Sequence, residues 1–384
     1  MSDEASSVRS GSEPAGSDLA GSDVATPITG QRLVVVTGGT GNLGSAVVDG
    51  LLRQGHRVRA LARRVPSLVG ADERLEWVSL DLTAPDRDLW LRAAFEGADA
   101  VVHTAWGFQP TRDAAYLQAL DVGGSVAVIE AAVASGVPHV VHTSSVGAYS
   151  PGVSDRPVDE AWPTGGTPWL AYSRHKSAVE QAIAARSVSG DIAMAVVRPS
   201  LMARSGAGSA LARYVLPSLV PADVVGHLPV LPLNRDFRVQ LTDSRDVAEL
   251  VLRILDQGAV GAFNASTDDV LRPADIAEAL DARHVPVPWS VVRGAAAAAW
   301  TARLQPVDPG WLDMARRVPV LDSTRARSEL GWFPRHGARE VLAEVVTGIV
   351  SGDAEPTPAL RPRTWGEQLR HLVSSGPVSR RRRA

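Results

Sequence analysis

Tyr172 and Lys176 are the residues whose types and spacing most directly suggest chemistry. They lie four positions apart in Tyr172-Ser173-Arg174-His175-Lys176, and in a helix this separation places two side chains on one face, about one turn apart. A free phenol has a pKa of about 10, too high for an efficient base at neutral pH, but a nearby ammonium group favours the phenolate. The pair could therefore move a proton to or from a substrate hydroxyl group.

A stretch rich in hydroxyl groups lies before this pair, in Thr143-Ser144-Ser145-Val146-Gly147-Ala148-Tyr149. It follows residues 139–143, which we predict to be the fifth strand of a parallel sheet. Ligands bind at the carboxyl ends of the strands in such sheets, so one of these hydroxyls could hold a substrate oxygen. The alternative is that they only cap the end of the strand.

A glycine-rich turn near the N-terminus is the element around which these residues must be arranged. Residues 33–37 are an apolar, valine-rich run typical of a buried strand, and residues 45–54 have the apolar spacing of a helix. A strand, a glycine turn and a helix in this order are typical of the phosphate-binding corner of a Rossmann unit, although a purely structural turn is the alternative. The residues expected to bind the dinucleotide here are Gly38, Thr40, Gly41, Asn42, Leu43 and Gly44.

Strands and helices alternate after this corner. We predict strands at 57–62, 75–80, 99–103, 139–143 and 192–197, with helices between them, including a long one over 113–135. This order predicts an α/β fold, a doubly wound parallel sheet of the Rossmann type. We expect a disordered tail over 1–30, a dinucleotide-binding domain over 31–200 with returns near 237–265, mainly a substrate-binding lobe over 201–350, and a linker with a basic tail over 351–384. A short strand at 237–241 and a short helix at 365–373 are also predicted.

The composition excludes several classes of function. The 384 residues carry a formal net charge of −3, so no overall field attracts nucleic acid or membrane. The run Arg380–Arg383 is interpreted as a solvated tail, with a nucleic-acid or phosphate contact as the alternative. The absence of cysteine excludes disulfides, cysteine nucleophiles and zinc–thiolate sites. The histidines lack metal-ligand spacing, and no apolar run reaches the roughly 18 residues of a spanning helix. We expect a cytoplasmic protein that binds a small-molecule substrate and no metal.

The motifs together resemble the short-chain dehydrogenase/reductase superfamily. The glycine turn, Ser145 and Tyr172-x-x-x-Lys176 carry this resemblance, and Asp246-Val247-Ala248 and Glu329-Leu330-Gly331-Trp332 extend it to the NAD-dependent epimerase/dehydratase branch over about 33–350. The resemblance implies that Tyr172 is the acid/base, that Lys176 lowers its pKa and holds the nicotinamide ribose, and that Ser145, rather than Ser144, positions the substrate oxygen. It also implies cofactor contacts from Asp81, Leu82, Thr104, Ala105 and Pro199, the last in a turn after the sixth strand.

Three departures from the family pattern affect the predicted function. Ala62-Arg63-Arg64 stands at the end of the second strand, where NAD-preferring members carry an acid, so we favour NADP, with NAD as the alternative. Asp121 occupies a helix position where relatives usually have Asn, which leaves its part in a proton relay open. Val146-Gly147 replaces the acidic pair of sugar dehydratases and argues against dehydration.

The predicted activity is hydride transfer between a nicotinamide and a secondary alcohol or ketone. Aromatic residues in loops near the strand ends, Trp106, Phe108, Tyr149 and Trp169, would line an apolar pocket, with core packing as the alternative for each. One alternative function is a nucleotide-sugar epimerase with tightly bound NAD, and another is a non-catalytic dinucleotide sensor. The resemblance also implies a homodimer formed through two long helices.

Overall fold

Seven parallel strands form the central sheet, in the order β10-β6-β5-β4-β1-β2-β3. The computed structural model describes residues 30–66, 72–107, 113–152, 156–190, 192–216, 220–305, 307–362, 364 and 366. The strands are β1 Leu33–Thr37, β2 Arg57–Ala62, β3 Leu75–Ser79, β4 Ala100–His103, β5 His139–Thr143, β6 Ala193–Pro199, β7 Leu201–Ala203, β8 Val230–Leu233, β9 Leu241–Asp243, β10 Gly261–Ala265 and β11 Arg283–Pro286.

Helices cover both faces of this sheet. They are α1 Asn42–Arg53, α2 Arg87–Phe95, α3 Ala114–Leu117, α4 Gly124–Ala134, α5 Ala171–Ser189, α6 Gly208–Val215, α7 Ser244–Gln257, α8 Pro273–Ala279, α9 Trp289–Thr301, α10 Pro309–Arg317, α11 Thr324–Leu330 and α12 Ala338–Ser351. Because successive strand residues point to opposite faces, β1 divides its valines between two cores. Val34 and Val36 pack with α1, α7 and α11, whereas Val35 packs with α2, α4 and α5.

A smaller set of elements lies beyond the carboxyl edge of the sheet. The parallel pairs β7–β9 and β8–β11 belong to it, and a separate apolar cluster joins Ala203 and Leu241 to Val341 and Val345 of α12. The fold class is therefore the predicted one, and the strand order reverses between β1 and β4, where sheets of this kind bind ligands.

Several element boundaries differ from the prediction. The helix after the glycine turn begins at Asn42 rather than residue 45, because Gly41 is extended and acts as its N-cap. The helix predicted over 113–135 is divided into α3, a π-helical segment Gln118–Gly123, and α4. The strand predicted at 237–241 lies at Leu241–Asp243. Arg198 and Pro199 were expected in a turn, but they are the last two residues of β6.

One helical stretch, Ala114–Ala134, is long and apolar enough to cross a membrane by length and composition alone. Its residues Val128, Ile129 and Ala132 are buried against the sheet, which accounts for its apolar character as a helix of the core. Residues 1–29, Arg380–Arg383, and the helix predicted at 365–373 apart from Gly366 lie outside the described residues.

Candidate active site

The glycine turn is shaped by close backbone approach. Gly38 has a φ of +75°, and a Cβ there would lie 2.7 Å from the Ala105 Cα. A Cβ on Gly44 would lie 2.2 Å from the Gly38 carbonyl oxygen and 2.8 Å from the Thr104 hydroxyl. Only glycine fits at these two positions. The predicted dinucleotide residues of the turn are thus brought into contact with Thr104 and Ala105, which follow β4.

The N-terminus of α1 fits a phosphate group. The N-cap residue of this 12-residue helix, Gly41, has no side chain that could accept hydrogen bonds from the first amide groups. The aligned peptide dipoles also place partial positive charge at this end. The tight cradle of the glycine turn and the uncapped helix are both features that a dinucleotide pyrophosphate requires. Gly38, Gly41, Asn42 and Leu43 are the residues that would hold it.

The end of β2 is tied to the same turn. The amides of Gly38 and Gly39 donate to the Leu61 carbonyl oxygen at 2.7 and 3.2 Å, which places Arg63 and Arg64 beside the turn. Arg63 is half-buried and donates to the Tyr116 hydroxyl at 2.6 Å, whereas Arg64 is exposed. The arginines predicted to bind cofactor therefore have different surroundings.

The other predicted cofactor residues also lie along the carboxyl edge of the sheet. The Asp81 carboxylate accepts hydrogen bonds from the amide and hydroxyl of Thr83, both at 2.8 Å. Leu82 is buried, and its Cβ would be 3.1 Å from a Cβ placed on Gly124 of α4. Pro199 ends β6 opposite Ala265 of β10.

Ser145 and Tyr172 are joined by a hydrogen bond between their side chains. Ser145 begins a short turn after β5, in which its hydroxyl also accepts from the Gly147 amide at 3.0 Å. Tyr172 is in the first turn of α5. The next residue, Ser173, donates to the Gly147 carbonyl oxygen at 2.5 Å, which fixes the start of α5 against the Ser145 turn. The structure therefore brings the predicted hydroxyl pair together.

Lys176 is one turn further along α5 and is 3% exposed. Its ammonium group donates to the Thr143 carbonyl oxygen at 2.8 Å and lies 3.4 Å from the centre of the Trp106 ring. Trp106 directly follows Thr104 and Ala105, so this contact links the predicted catalytic residues to the glycine turn. The Trp106 indole nitrogen is buried and has no hydrogen-bond partner among the described residues.

Burial shifts the pKa values of both Tyr172 and Lys176. Burial raises the pKa of Tyr172 to about 12; the Ser145 hydrogen bond lowers it and the charge of Asp121 raises it. Burial lowers the pKa of Lys176 to about 7, against the influence of Asp121 and Glu180. Removal from water is the largest cause of both shifts. That Lys176 lowers the pKa of the phenol stays a prediction.

Asp121 is a fully buried carboxylate on the π-helical segment. It accepts hydrogen bonds from the Gly107 amide at 2.7 Å and from His175 Nδ1 at 3.1 Å, and burial raises its pKa. The side chain thus connects the segment after β4 to α5, within the Tyr172–Lys176 motif. A structural bridge is the role that these contacts describe.

Two aromatic rings lie next to the phenol of Tyr172. Trp106 lies edge-on to Tyr172 with ring centres 6.0 Å apart, and Trp311 of α10 lies at 4.7 Å. Met314, also on α10, is 3.2 Å from a Cβ placed on Gly147. The sequence did not indicate Trp311 or Met314, because only the docking of α10 brings them to a site about 140 residues earlier in the chain.

The other pocket predictions have mixed outcomes. Tyr149 is 1% exposed and its hydroxyl bonds Asn264 and Arg198, so the core-packing alternative describes it. Trp169 is 45% exposed, with the Arg317 guanidinium over its ring at 4.9 Å. Phe108 lies outside the described residues. Across the described ranges, no group of three or more His, Asp or Glu side chains could hold a metal ion.

A C-terminal segment, residues 353–361, covers the glycine turn; we call it the C-terminal strap. The Thr357 hydroxyl donates to the Thr40 carbonyl oxygen at 2.9 Å. Arg204, buried after β7, donates to Asn42 at 3.2 Å, to Ser45 at 2.8 Å and to Glu355 of the strap at 2.8 Å. Sequence reasoning missed Arg204, Glu355 and Thr357, since no local motif marks them.

A further signal was present in the sequence. Lys176 is the only lysine in the chain, and all other members of the 39 Lys and Arg residues are arginines. The one lysine of the chain, a residue type whose pKa shifts readily when it is buried, is thus found four residues after Tyr172.

Comparison with known proteins identifies the family. The model of the NAD dependent epimerase/dehydratase family matches residues 34–266. The chain belongs to this family. Membership confirms the predicted fold class and the prediction of an NAD(P)-dependent enzyme of this superfamily.

Individual relatives extend over most of the chain. A dTDP-6-deoxy-L-talose 4-dehydrogenase (NAD(P)(+)) from Kitasatospora kifunensis is 29% identical over 335 residues, covering 84% of this chain and 98% of the relative. A short-chain dehydrogenase/reductase superfamily protein from Agrobacterium tumefaciens with bound NAD has a TM-score of 0.62 at 23% identity, covering 83% of this chain and 97% of that structure. The Thermus thermophilus UDP-glucose 4-epimerase complex with NAD has a TM-score of 0.60 at 21% identity, covering 83% and 98%. At these identities the two structures show the fold alone.

Proposed function

We propose that this protein is an NAD(P)-dependent oxidoreductase that transfers hydride between the nicotinamide and a secondary alcohol or ketone. The observation that carries the proposal is the hydrogen-bonded pair of Ser145 and Tyr172 at the end of β5, with Lys176 one turn away. Trp106 connects this group to the segment that contacts the glycine turn. Hydride and proton transfer need this proximity of a dinucleotide site and an acid/base.

Each residue has a separate task in this proposal. Ser145 holds the substrate oxygen through its hydroxyl group, and Tyr172 donates a proton to that oxygen or removes one. Lys176 supplies positive charge beside the phenol when it is protonated. A bound nicotinamide supplies the hydride donor or acceptor. The rings of Trp106 and Trp311 exclude water from the phenol, which strengthens the electrostatic interactions at the reacting oxygen.

The surroundings of the phenol support a ring-shaped substrate. The faces and edges of Trp106 and Trp311 and the Met314 thioether present apolar surface next to Tyr172, and such surface packs well on an apolar ring or on the apolar face of a sugar. The relative from K. kifunensis is by name a 4-dehydrogenase of a dTDP-linked deoxysugar, which supports net oxidation and reduction over epimerisation. We infer a cyclic secondary alcohol or ketone.

NADP is the dinucleotide that the chain favours in this proposal. Arg63 and Arg64 follow β2, and no acidic residue stands between Ala60 and Pro66 to repel a 2′-phosphate. The solved structures of the same fold hold NAD, so NAD remains the competing dinucleotide in the tests.

The decisive experiment compares two adjacent hydroxyl groups. Purified protein is screened with cyclic ketones and alcohols and with nucleotide sugars, and absorbance at 340 nm is followed with NADPH and NADP⁺. We expect Tyr172→Phe and Ser145→Ala to lower kcat by roughly a hundredfold or more, with dinucleotide affinity unchanged. Ser144→Ala is the matched control, because Ser144 hydrogen-bonds Glu180 rather than Tyr172. Equal activity in Tyr172→Phe and wild type would support the sensor alternative instead.

A nucleotide-sugar epimerase is the second candidate, because it would use the same hydroxyl pair with transient oxidation. The family to which the chain belongs is named for epimerases and dehydratases, which supports this candidate. An epimerase retains its dinucleotide and shows no net change at 340 nm. Mass spectrometry of denatured purified protein for bound NAD, with analysis of sugar products, separates the two candidates.

A further inference from the structure

Arg63 directly follows the last residue of β2, so the sheet determines the position of its backbone. β2 ends at Ala62, and the hydrogen bonds from Gly38 and Gly39 to Leu61 keep the strand end against the glycine turn. At this strand end a Rossmann-type sheet recognises the adenosine ribose, where a carboxylate suits free hydroxyls and an arginine accommodates a 2′-phosphate. The orientation of Arg63 should therefore affect which dinucleotide binds.

Tyr116 is the residue that fixes this orientation. Its hydroxyl accepts from Arg63 Nη1 at 2.6 Å, and its side chain is buried, with 9% of the residue exposed. The Tyr116 amide donates to the Asp113 carboxylate at 2.9 Å, which caps α3 and holds the first turn of that helix in place. The phenol is thus a rigid acceptor for the guanidinium.

The helical stretch that carries Tyr116 also reaches the other side of the adenosine site. Gly124, at the start of α4, lets that helix approach Leu82, whose Cβ would be 3.1 Å from a Cβ at this position. Arg63 and Leu82 therefore both rest on residues 116–124. The spacing of the two cofactor residues depends on the packing of this stretch.

We propose that Tyr116 is a positioning residue that determines dinucleotide specificity, by holding the Arg63 guanidinium so that its remaining N–H groups face a 2′-phosphate. The inference rests on the proposed function, because it requires the glycine turn to bind a dinucleotide. Tyr116 uses one of the five guanidinium N–H donors and leaves the others for the phosphate. An arginine that is already held loses less side-chain freedom on binding.

Calorimetric titration with four ligands tests the proposal without measuring activity. The ligands are NADP⁺, NAD⁺, 2′,5′-ADP and 5′-AMP, and the proteins are wild type, Tyr116→Phe, Arg63→Ala and the double variant. We expect Tyr116→Phe to raise the Kd of NADP⁺ and 2′,5′-ADP by about fivefold, the equivalent of one hydrogen bond. NAD⁺ and 5′-AMP should change less than twofold. Tyr116→Phe should have no further effect when Arg63 is already alanine, because the phenol acts through that residue.

Several outcomes would overturn the proposal. Equal weakening of NAD⁺ and NADP⁺ by Tyr116→Phe would show a general structural role, and an effect that persists in the Arg63→Ala background would show that Tyr116 does not act through Arg63. Wild type that binds NAD⁺ but neither NADP⁺ nor 2′,5′-ADP would refute the Tyr116 assignment and leave the proposed function standing. Wild type that binds no dinucleotide would refute the proposed function itself.

A second variant covers the case in which Tyr116→Phe does not fold. Arg63→Lys keeps the charge but offers a single ammonium group, which the phenol and the phosphate would have to share. We expect it to weaken NADP⁺ and 2′,5′-ADP binding about fivefold, with NAD⁺ unchanged. Undiminished NADP⁺ affinity in Arg63→Lys would contradict the proposed fork geometry.

Discussion

Lys176 should titrate near neutral pH, far below an ordinary lysine. Its side chain is 3% exposed, and burial lowers its pKa from 10.5 to about 7, although Asp121 and Glu180 favour the charged form. Among the described residues, the ammonium contacts the Thr143 carbonyl oxygen and the Trp106 ring. They replace only part of the lost hydration.

The shift has a consequence for stability. Between pH 7 and 10.5 the unfolded chain binds a proton at Lys176 that the folded chain does not, so the contribution of this residue to the free energy of unfolding rises with pH over that range. Below pH 7 the burial of the charged ammonium lowers the free energy of unfolding by about 5 kcal/mol relative to its value at high pH, where the amine is neutral in both states. Lys176→Met removes this cost and loses one hydrogen bond of about 1 kcal/mol. We expect the variant to be about 4 kcal/mol more stable than wild type at pH 6, and nearly equal to it by pH 10.

The single lysine makes the measurement direct. Protein grown with ¹³C-lysine should give one Cε signal, whose chemical shift against pH reports the pKa of Lys176. Urea unfolding of wild type and Lys176→Met at pH 6, 7.5 and 9 gives the stability difference. Arg186→Met is the matched control, because Arg186 is also on α5 but its side chain is 41% exposed. A titration midpoint above about 9.5 would refute the burial argument, as would a Lys176→Met variant less stable than wild type at pH 6.

Three further predictions concern the glycine turn, the C-terminal strap and the Trp311 ring beside Tyr172. Gly44→Ala should abolish dinucleotide binding and lower stability by about 1–3 kcal/mol or more, because the new Cβ would lie 2.2 Å from the Gly38 oxygen. The control Gly294→Ala in α9, where a Cβ would have nothing within 4 Å, should instead stabilise the protein by about 0.5–1 kcal/mol. Thermal melts and titrations with NADP⁺ check both variants. Glu355→Gln combined with Thr357→Val should raise the rate of NADPH release about tenfold, because the Arg204–Glu355 ion pair loses its negative charge and the Thr357 hydrogen bond is lost. Stopped-flow displacement measures the rate, with Glu329→Gln, in an exposed pair on α11, as control. An unchanged rate would exclude a retaining role for the strap. Trp311→Ala should lower the pKa of Tyr172, because water would reach a phenol whose pKa burial raises to about 12. The basic limb of the kcat/KM profile for ketone reduction, which needs the protonated phenol, should therefore move to lower pH. No shift, or the same shift in Trp90→Ala, at an exposed position of α2, would contradict this reasoning.

The sequence by itself determined the elements whose signals are local. A valine-rich strand, a glycine turn and a helix must follow one another in a phosphate-binding corner, because the turn conformation and the close approach both require glycine at Gly38 and Gly44. The four-residue spacing of Tyr172 and Lys176 places both on one face of α5, since the helical period is fixed by backbone geometry. The alternation of strands and helices was sufficient for the fold class.

The contacts between distant segments were decided only by the tertiary structure. Trp311 reaches Tyr172 from α10, and Glu355 reaches Arg204 across 151 residues of sequence; no local pattern contains such pairings. The direction of the Tyr172 and Lys176 pKa shifts was equally inaccessible, because it depends on how much water the packed neighbours exclude. Spacing along a helix determines which groups can meet, whereas burial by the whole fold determines how strongly each holds its proton.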